Sequence, residues 1–166
     1  NKWHEYFTYL LPNESREVHM KLQAASVERS DWSCIEKHIK PNDHSRLVLD
    51  AIQGRHEQIV ISNTQPHSLV KFLELVGASI HFPNGYSFAV NAHDESGHLT
   101  KENALRDFLK DRAYEELVII GDSPGDMALK TVAGGTTYLY THPHLIHKDC
   151  SADHKITDLR EVLAEL

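Results

Sequence analysis

The pattern of apolar and polar residues changes character near residue 45. Before that point, aromatic and aliphatic residues recur at helical spacing in WHEYFTYLL and in SREVHMKLQAASVERSDWSCIEKHI. The pattern predicts helices, interrupted at Pro12 and Asn13 and ended by a turn that begins at Pro41. The next stretch, HSRLVLDAIQG, predicts one more helix, with Asn42 or Asp43 as its cap and a glycine at its end.

Beyond residue 57, short apolar runs alternate with amphipathic segments. QIVISN, ELVIIGD and GTTYLYT are typical of buried strands, whereas QPHSLVKFLELVG, TKENALRDFLKDR, PGDMALKTVAGG and ITDLREVLAEL predict helices. Thr100 is the predicted N-cap of the second of these helices. The loop-rich residues 78–99 predict short strands, with a hairpin turn at Asn84 and Gly85. Strands that alternate with helices predict an α/β fold, a three-layer Rossmann-like parallel sheet.

Composition narrows the classes of function. The 166 residues suit one compact domain, and a net charge of −7 argues against nucleic acid as a partner. No apolar run approaches the length of about 18 residues that a membrane helix needs, so no membrane contact is expected. Cys34 and Cys150 are far apart and form no CxxC pair, which is typical of free thiols in a reducing compartment. We therefore expect a cytoplasmic protein.

Polar residues follow two of the predicted strands at their carboxyl ends, where ligands bind in parallel sheets. Ser62 and Asn63 end the first strand, Asp122 ends the second, and Asp126 comes four residues later. Lys101 opens a predicted helix between them. Hydroxyl, amide and ammonium groups suit a phosphate, and aspartate oxygens suit Mg²⁺. The sequence therefore predicts Ser62, Asn63 and Lys101 as phosphate-binding residues, Asp122 and Asp126 as metal ligands, and a small phosphorylated molecule as partner.

These segments resemble, in order, three motifs of the haloacid dehalogenase superfamily of phosphohydrolases. The strand IVISN ending in Ser62 is similar to the second motif, and Lys101 at a helix start to the third. Gly121, Asp122 and Asp126 are similar to the GDxxxD of the fourth, and the 21 residues from Lys101 to Asp122 also suit the family. The form GDSPGDM looks most like the phosphoserine-phosphatase-like branch.

The resemblance covers residues 46–166 and implies a haloacid dehalogenase-like core there, with residues 1–45 as part of a helical cap. It implies a Mg²⁺-dependent phosphatase that works through an aspartyl-phosphate intermediate. Ser62 and Lys101 then have catalytic roles as well as binding the phosphoryl group, and Asp126 meets the metal directly or through water. The substrate and the oligomeric state stay open.

The family's first motif, a strand ending in DxDx[TV], does not occur in the sequence. The nearest imitation, RLVLDAIQG, has Ile52 where the second aspartate belongs. Only seven residues lie between Asp50 and Gln58, whereas a parallel crossover needs about a dozen, so Asp50 is predicted to lie in a helix. Because the chain starts at Asn1, we expect the nucleophilic aspartate upstream of it. The alternative is a catalytically inactive binding or regulatory module of the same fold.

One further cluster contains residue types that bind metals. His142, His144, His147 and Cys150 lie within nine residues, which is close enough for zinc ligands. The segment has neither a CxxC pair nor a convincing HxxxH helix. A polar loop is therefore the prediction, and metal binding by this loop stays open.

Overall fold

The computed structural model describes residues 8–23, 32–33, 36–90, 100–144, 149–164 and 166. Its helices are α1 (Arg16–Gln23), α2 (Ser45–Ile52), α3 (Pro66–Leu75), α4 (Lys101–Leu109), α5 (Pro124–Met127) and α6 (Lys130–Ala133). Its strands are β1 (Val60–Ser62), β2 (Ser87–Ala89), β3 (Val118–Gly121), β4 (Thr136–Tyr140) and β5 (His154–Ile156). Among these residues, short 3₁₀ helices span Glu36–His38, Ser79–His81 and Leu159–Ala164.

The strands form two parallel sheets. β1 pairs with β2, and β3 pairs with β4, which pairs with β5. Within the described part of the chain, β1 and β3 are not hydrogen-bonded to each other, so each has a neighbour on one side only. Parallel strands joined through helices confirm the predicted α/β class, although the pairing is divided between two sheets.

Helices and one side-chain cluster join the two sheets. Helix α4 packs against both β1 and α6, and α2 packs against the C-terminal 3₁₀ helix. Just before β1, Glu57 accepts a hydrogen bond from the hydroxyl of Tyr114, which precedes β3. Hydrogen bonds from Tyr114 and then Tyr86 lower the pKa of Glu57 below its ordinary value. These contacts join the segments that lead into β1, β2 and β3.

The best-buried strand is β4, which has a partner on each side. Tyr138 and Tyr140 form a core cluster with Ile156 and with Val162 of the last 3₁₀ helix. In contrast, all of β1 is only half-buried, and Ile120 of β3 is 41% exposed. Apolar strand residues are normally the most buried where parallel strands meet in the middle of a sheet. The strands β1 and β3 are therefore incompletely covered.

Most sequence predictions of elements are confirmed. β1, β3 and β4 lie within the three predicted strands, and Asp50 lies in α2 as expected. Thr100 caps α4, because its Oγ1 accepts a hydrogen bond from the backbone N–H of Asn103 at 3.1 Å. The predicted helix at residues 124–135 is split into α5 and α6. Of the predicted N-terminal helices, residues 1–7, 24–31 and 34–35 lie outside the described residues, and so does the predicted free thiol of Cys34.

The predicted capping of α2 is wrong. The residue before the helix is His44, which adopts the left-handed region at φ 61°, and no side chain caps the first turn. The carbonyl of Asn42 instead accepts hydrogen bonds from the N–H and the Oγ of Ser45. This tight turn leaves neither Asn42 nor Asp43 at the capping position.

Two further predictions of elements are wrong. The turn at Asn84 and Gly85 exists, but the strand after it, β2, pairs in parallel with β1 instead of closing a hairpin. The predicted C-terminal helix is a 3₁₀ helix, Leu159–Ala164, and strand β5 before it was not predicted. Among the described helices, none has the length and apolar character needed to cross a bilayer.

Leu139→Ala tests the position of the core. Leu139 is 1% exposed in β4, so truncation should lower the free energy of unfolding by about 2–5 kcal/mol. Leu47→Ala is the matched control, because Leu47 is 49% exposed on α2 and should change stability by no more than about 0.5 kcal/mol. Urea denaturation followed by circular dichroism measures both. Equal losses would contradict the described core.

Candidate functional site

The turn after β3 folds a carboxylate back over the end of its own strand. Gly121 ends β3, and α5 begins at Pro124, so only two residues separate strand from helix. A Cβ atom added at Gly121 would lie 2.2 Å from the Cβ of Asp126 and 2.7 Å from its Oδ2. Any side chain at position 121 would therefore displace Asp126, so glycine is required for this close approach.

Asp126 is the centre of the contacts at this turn. Its Oδ2 accepts hydrogen bonds from the backbone N–H of Asp122 at 3.1 Å and from the Oγ of Ser123 at 2.6 Å. Its Oδ1 forms an ion pair with the Nζ of Lys101, and both side chains are only 12% exposed. Burial by itself raises the pKa of Asp126, but the charge and hydrogen bond of Lys101, with the hydrogen bonds from Ser123 and Asp122, hold that pKa below its ordinary value.

Lys101 reaches this turn from the start of helix α4. It is the first residue of α4, directly after the N-cap Thr100, and α4 packs against β1. A cation in the first turn of a helix is electrostatically unfavourable, because the N-terminal end carries partial positive charge. The carboxylate of Asp126 compensates this charge. The pair therefore joins a residue carried on the β1 side to the carboxyl end of β3.

The other predicted phosphate-binding residues lie at the end of β1. Ser62 is the last residue of β1 and half-buried, and its carbonyl accepts hydrogen bonds from the N–H groups of Thr64 and Val90. Asn63 is exposed. Within the described residues, neither Ser62 nor Asn63 has a hydrogen bond to Lys101 or Asp126. The structure thus brings Lys101 and Asp126 together, and the roles of Ser62 and Asn63 stay predictions.

Ser123 is a contributor that sequence reasoning missed. It precedes α5 and donates its hydroxyl hydrogen to Asp126, three residues later. The spacing Ser-x-x-Asp before a helix is similar to that of a capping box, in which the first and fourth residues interact. That signal was available in SPGD. The serine helps to fix the orientation of the Asp126 carboxylate.

The oxygen donors at the end of β3 fit Mg²⁺ only in part. Mg²⁺ takes one or two carboxylates and completes its coordination with water and phosphate oxygens. Asp122 is exposed at the carboxyl end of β3 and fits such a role, whereas both oxygens of Asp126 already accept hydrogen bonds. Among the described residues, no group of three or more His, Cys, Asp or Glu side chains is arranged to hold a metal.

The histidine-rich loop after β4 makes ring contacts with the N-terminal segment. Tyr9 stacks on His144, with ring centroids 5.3 Å apart, and meets the edge of His142 at 5.2 Å. The backbone N–H of His144 donates to Nδ1 of His142. His147 lies outside the described residues, and Cys150 is a free thiol. These contacts tie residue 9 to the carboxyl end of β4, next to the strand that carries the Asp126 turn.

Comparison with known proteins assigns the fold. No protein-family model matches the chain, and no curated protein does. Among solved structures, a conserved haloacid dehalogenase-like protein of unknown function from Agrobacterium tumefaciens is similar, with a TM-score of 0.62 and 18% sequence identity. The match covers 98% of this chain and 81% of that one. The chain therefore has a haloacid dehalogenase-like α/β fold.

Gly121→Ala tests the close approach of Asp126 to the strand end. The added Cβ would meet Asp126 at 2.2 Å, so we expect the variant to lose about 1–3 kcal/mol of stability. Gly125→Ala is the control, because its nearest neighbour would be the Ser123 Oγ at an ordinary 3.8 Å. Thermal and urea unfolding measure both. A Gly121→Ala variant as stable as Gly125→Ala would show that Asp126 does not lie over Gly121.

The lowered pKa of Asp126 predicts a pH-dependent stability. A carboxyl group whose folded pKa is depressed stabilises the protein above its unfolded pKa, and that contribution is lost as the pH falls through the folded pKa. The stability advantage of the wild type over Asp126→Asn should therefore be full above about pH 4 and shrink at lower pH. Urea unfolding between pH 2.5 and 7 measures this difference as a shift of the unfolding midpoint at about equal slope. A difference that stays constant with pH would contradict the ionised pair.

Proposed function

We propose that this chain carries the phosphate-binding and metal-binding residues of a Mg²⁺-dependent phosphohydrolase of the haloacid dehalogenase type. The supporting observation is the buried Lys101–Asp126 pair at the carboxyl end of β3, in a haloacid dehalogenase-like fold. A buried ion pair adds little net stability, because desolvation offsets most of the attraction. A pair held over a required glycine is better explained by a need for an ammonium group at this place.

Each residue has a definite role in this proposal. Lys101 uses one N–H on Asp126 and has two more to donate to phosphoryl oxygens, where it stabilises negative charge during transfer. Ser62 and Asn63 donate to the remaining phosphoryl oxygens from the end of β1. Asp122 holds Mg²⁺, which neutralises charge on the phosphoryl group when it is bound. The substrate is a small phosphorylated metabolite.

The nucleophile is proposed to come from a strand outside these 166 residues. In this type of reaction, an aspartate attacks phosphorus, forms an aspartyl-phosphate, and releases the leaving group before water hydrolyses the intermediate. Among the described strands, β1 and β3 each pair with one neighbour only. Both are incompletely covered, with Ile120 41% exposed. One further parallel strand pairing with their open edges would place its carboxyl end beside Ser62 and Asp122.

Turnover by two forms of the protein tests the proposal. Phosphate release from p-nitrophenyl phosphate and a panel of phosphorylated metabolites, with Mg²⁺, is measured for the 166-residue chain and for a chain extended by its upstream coding sequence. We expect turnover only in the extended form, with a DxDx[TV] motif in the extension. Lys101→Met and Asp122→Asn should each lower kcat about 100-fold or more, by loss of charge stabilisation. Lys110→Met, at the exposed end of α4, is the matched control.

Two results would contradict parts of the proposal. Turnover by the 166-residue chain alone, lost in Asp122→Asn, would place the nucleophile within the chain. An extended chain that binds phosphate but never releases it from any substrate would favour the alternative, an inactive binding or regulatory module of this fold.

A further inference from the structure

The loop after β4 contains a hydrogen bond from the backbone to a titratable ring. The N–H of His144 donates to Nδ1 of His142 at 3.2 Å, two residues earlier in the chain. We infer that His142 is a pH-sensitive latch: its neutral form holds the turn on which Tyr9 docks, and its protonation releases Tyr9 from the loop. The inference is independent of the proposed function, because neither the turn nor its titration involves a metal or a substrate.

The hydrogen bond determines where His142 carries its proton. A ring nitrogen that accepts a hydrogen bond has no hydrogen of its own, so a neutral His142 carries its hydrogen on Nε2. A second proton can be added only at Nδ1, toward which the N–H of His144 already points. Two donors would then face each other, and the hydrogen bond would be lost. The same tautomer argues against His142 as a metal ligand, because its one lone pair is already in use.

The turn positions the two rings that Tyr9 contacts. Tyr9 stacks on His144 with ring centroids 5.3 Å apart, and it meets the edge of His142 at 5.2 Å. The rings of His142 and His144 lie 5.7 Å from each other. Tyr9 is 42% exposed, so its docking depends strongly on these two rings. Because the hydrogen bond sets the relative position of the rings, its loss removes the surface on which Tyr9 docks.

Acidic groups act on this part of the loop through Tyr140, whose ring meets His142 edge-on at 6.3 Å. Burial and then the charges of Asp43 and Asp158 raise the pKa of Tyr140. Directly or through Tyr140, the titratable and charged groups around His142 are Tyr9, Asp43, His44, Tyr140, His144, Asp158 and Arg160. Asp158 is compensated by its ion pairs with His44 and Arg160, which leaves Asp43 as the negative charge of this group that attracts a positive His142.

The latch lies at the edge of the sheet that carries the candidate site. Gly121 is opposite Leu139 in the register of β3 and β4, so the next residues, Asp122 and Tyr140, are neighbours on adjacent strands about 4.8 Å apart. His142 follows Tyr140 by two residues. The segment of Tyr9 continues into α1, and the carbonyl of Leu11 contacts Nε2 of His19 on that helix at 3.0 Å. Release of Tyr9 would therefore loosen the hold on the N-terminal segment beside the candidate site.

NMR spectroscopy of the 166-residue chain, labelled at histidine and tyrosine, tests the inference. The ¹⁵N shift of Nδ1 reports protonation of His142, and nuclear Overhauser effects between the Tyr9 and His144 rings report docking, from about pH 8 to about pH 5. In the wild type, these effects should weaken about tenfold or more as His142 takes up its proton. His142→Asn should keep them throughout, because an asparagine oxygen accepts the same N–H in an Asx-turn but gains no proton. His56→Asn, exposed before β1, is the control and should behave as the wild type.

Tyr9→Ala gives a second readout through linkage. If proton uptake by His142 releases Tyr9, a docked Tyr9 must oppose proton uptake to the same extent. Removing the ring should therefore raise the pH at which His142 titrates, by about one pH unit for a tenfold coupling. An unchanged titration in Tyr9→Ala would contradict the latch.

Three other results would also overturn the inference. The first is a contact between Tyr9 and His144 that persists or strengthens after His142 is protonated, as a cation–π interaction of a charged His144 would produce. The second is a contact that His142→Asn loses at the same pH as the wild type. The third is the absence of this contact at every pH.

Discussion

The ion pair between Lys101 and Asp126 is the contact on which the site depends. One partner lies in the first turn of α4, which packs on β1, and the other lies in the turn that follows β3. The pair is possible only because Gly121 has no side chain where Asp126 approaches. The ion pair therefore joins the strand end, the helix start and the turn, together with the packing of α4 against α6. Its low exposure makes it insensitive to salt, unlike an ion pair on the surface.

The same contact explains why charges that are unfavourable alone are stable together. A lysine at a helix N-terminus is opposed by the helix dipole, and a buried carboxylate is opposed by its own desolvation. In this structure, each compensates the other, and Ser123 and the backbone of Asp122 complete the hydrogen bonding of the carboxylate. Burial raises the pKa of Asp126, but the charge and hydrogen bond of Lys101, with the hydrogen bonds from Ser123 and Asp122, lower it below its ordinary value.

Local signals in the sequence predicted most elements, and long-range strand pairing accounts for two of the errors, the hairpin and β5. The β-branched runs at β1, β3 and β4 and the threonine cap of α4 are short-range features, and all were confirmed. The hairpin predicted at Gly85 does not form, because the strand after the turn pairs in parallel with β1. No local sequence pattern encodes that pairing. β5 has only three residues, HKI, two of them polar, and is a strand because β4 pairs with it. No periodicity over three residues can predict such a strand.

The candidate site, too, could be predicted from the sequence only in part. The sequence identified Lys101, Asp122 and Asp126 as chemically active, because residue types and spacing carry that information. It could not separate the two aspartates, which occur as identical residues on the same turn. Their difference arises from backbone geometry: a two-residue connection from Gly121 to α5 turns one side chain inward onto the strand end and leaves the other at the surface. Burial then decides the chemistry, because an inward carboxylate needs a cation of its own, and Lys101 supplies it.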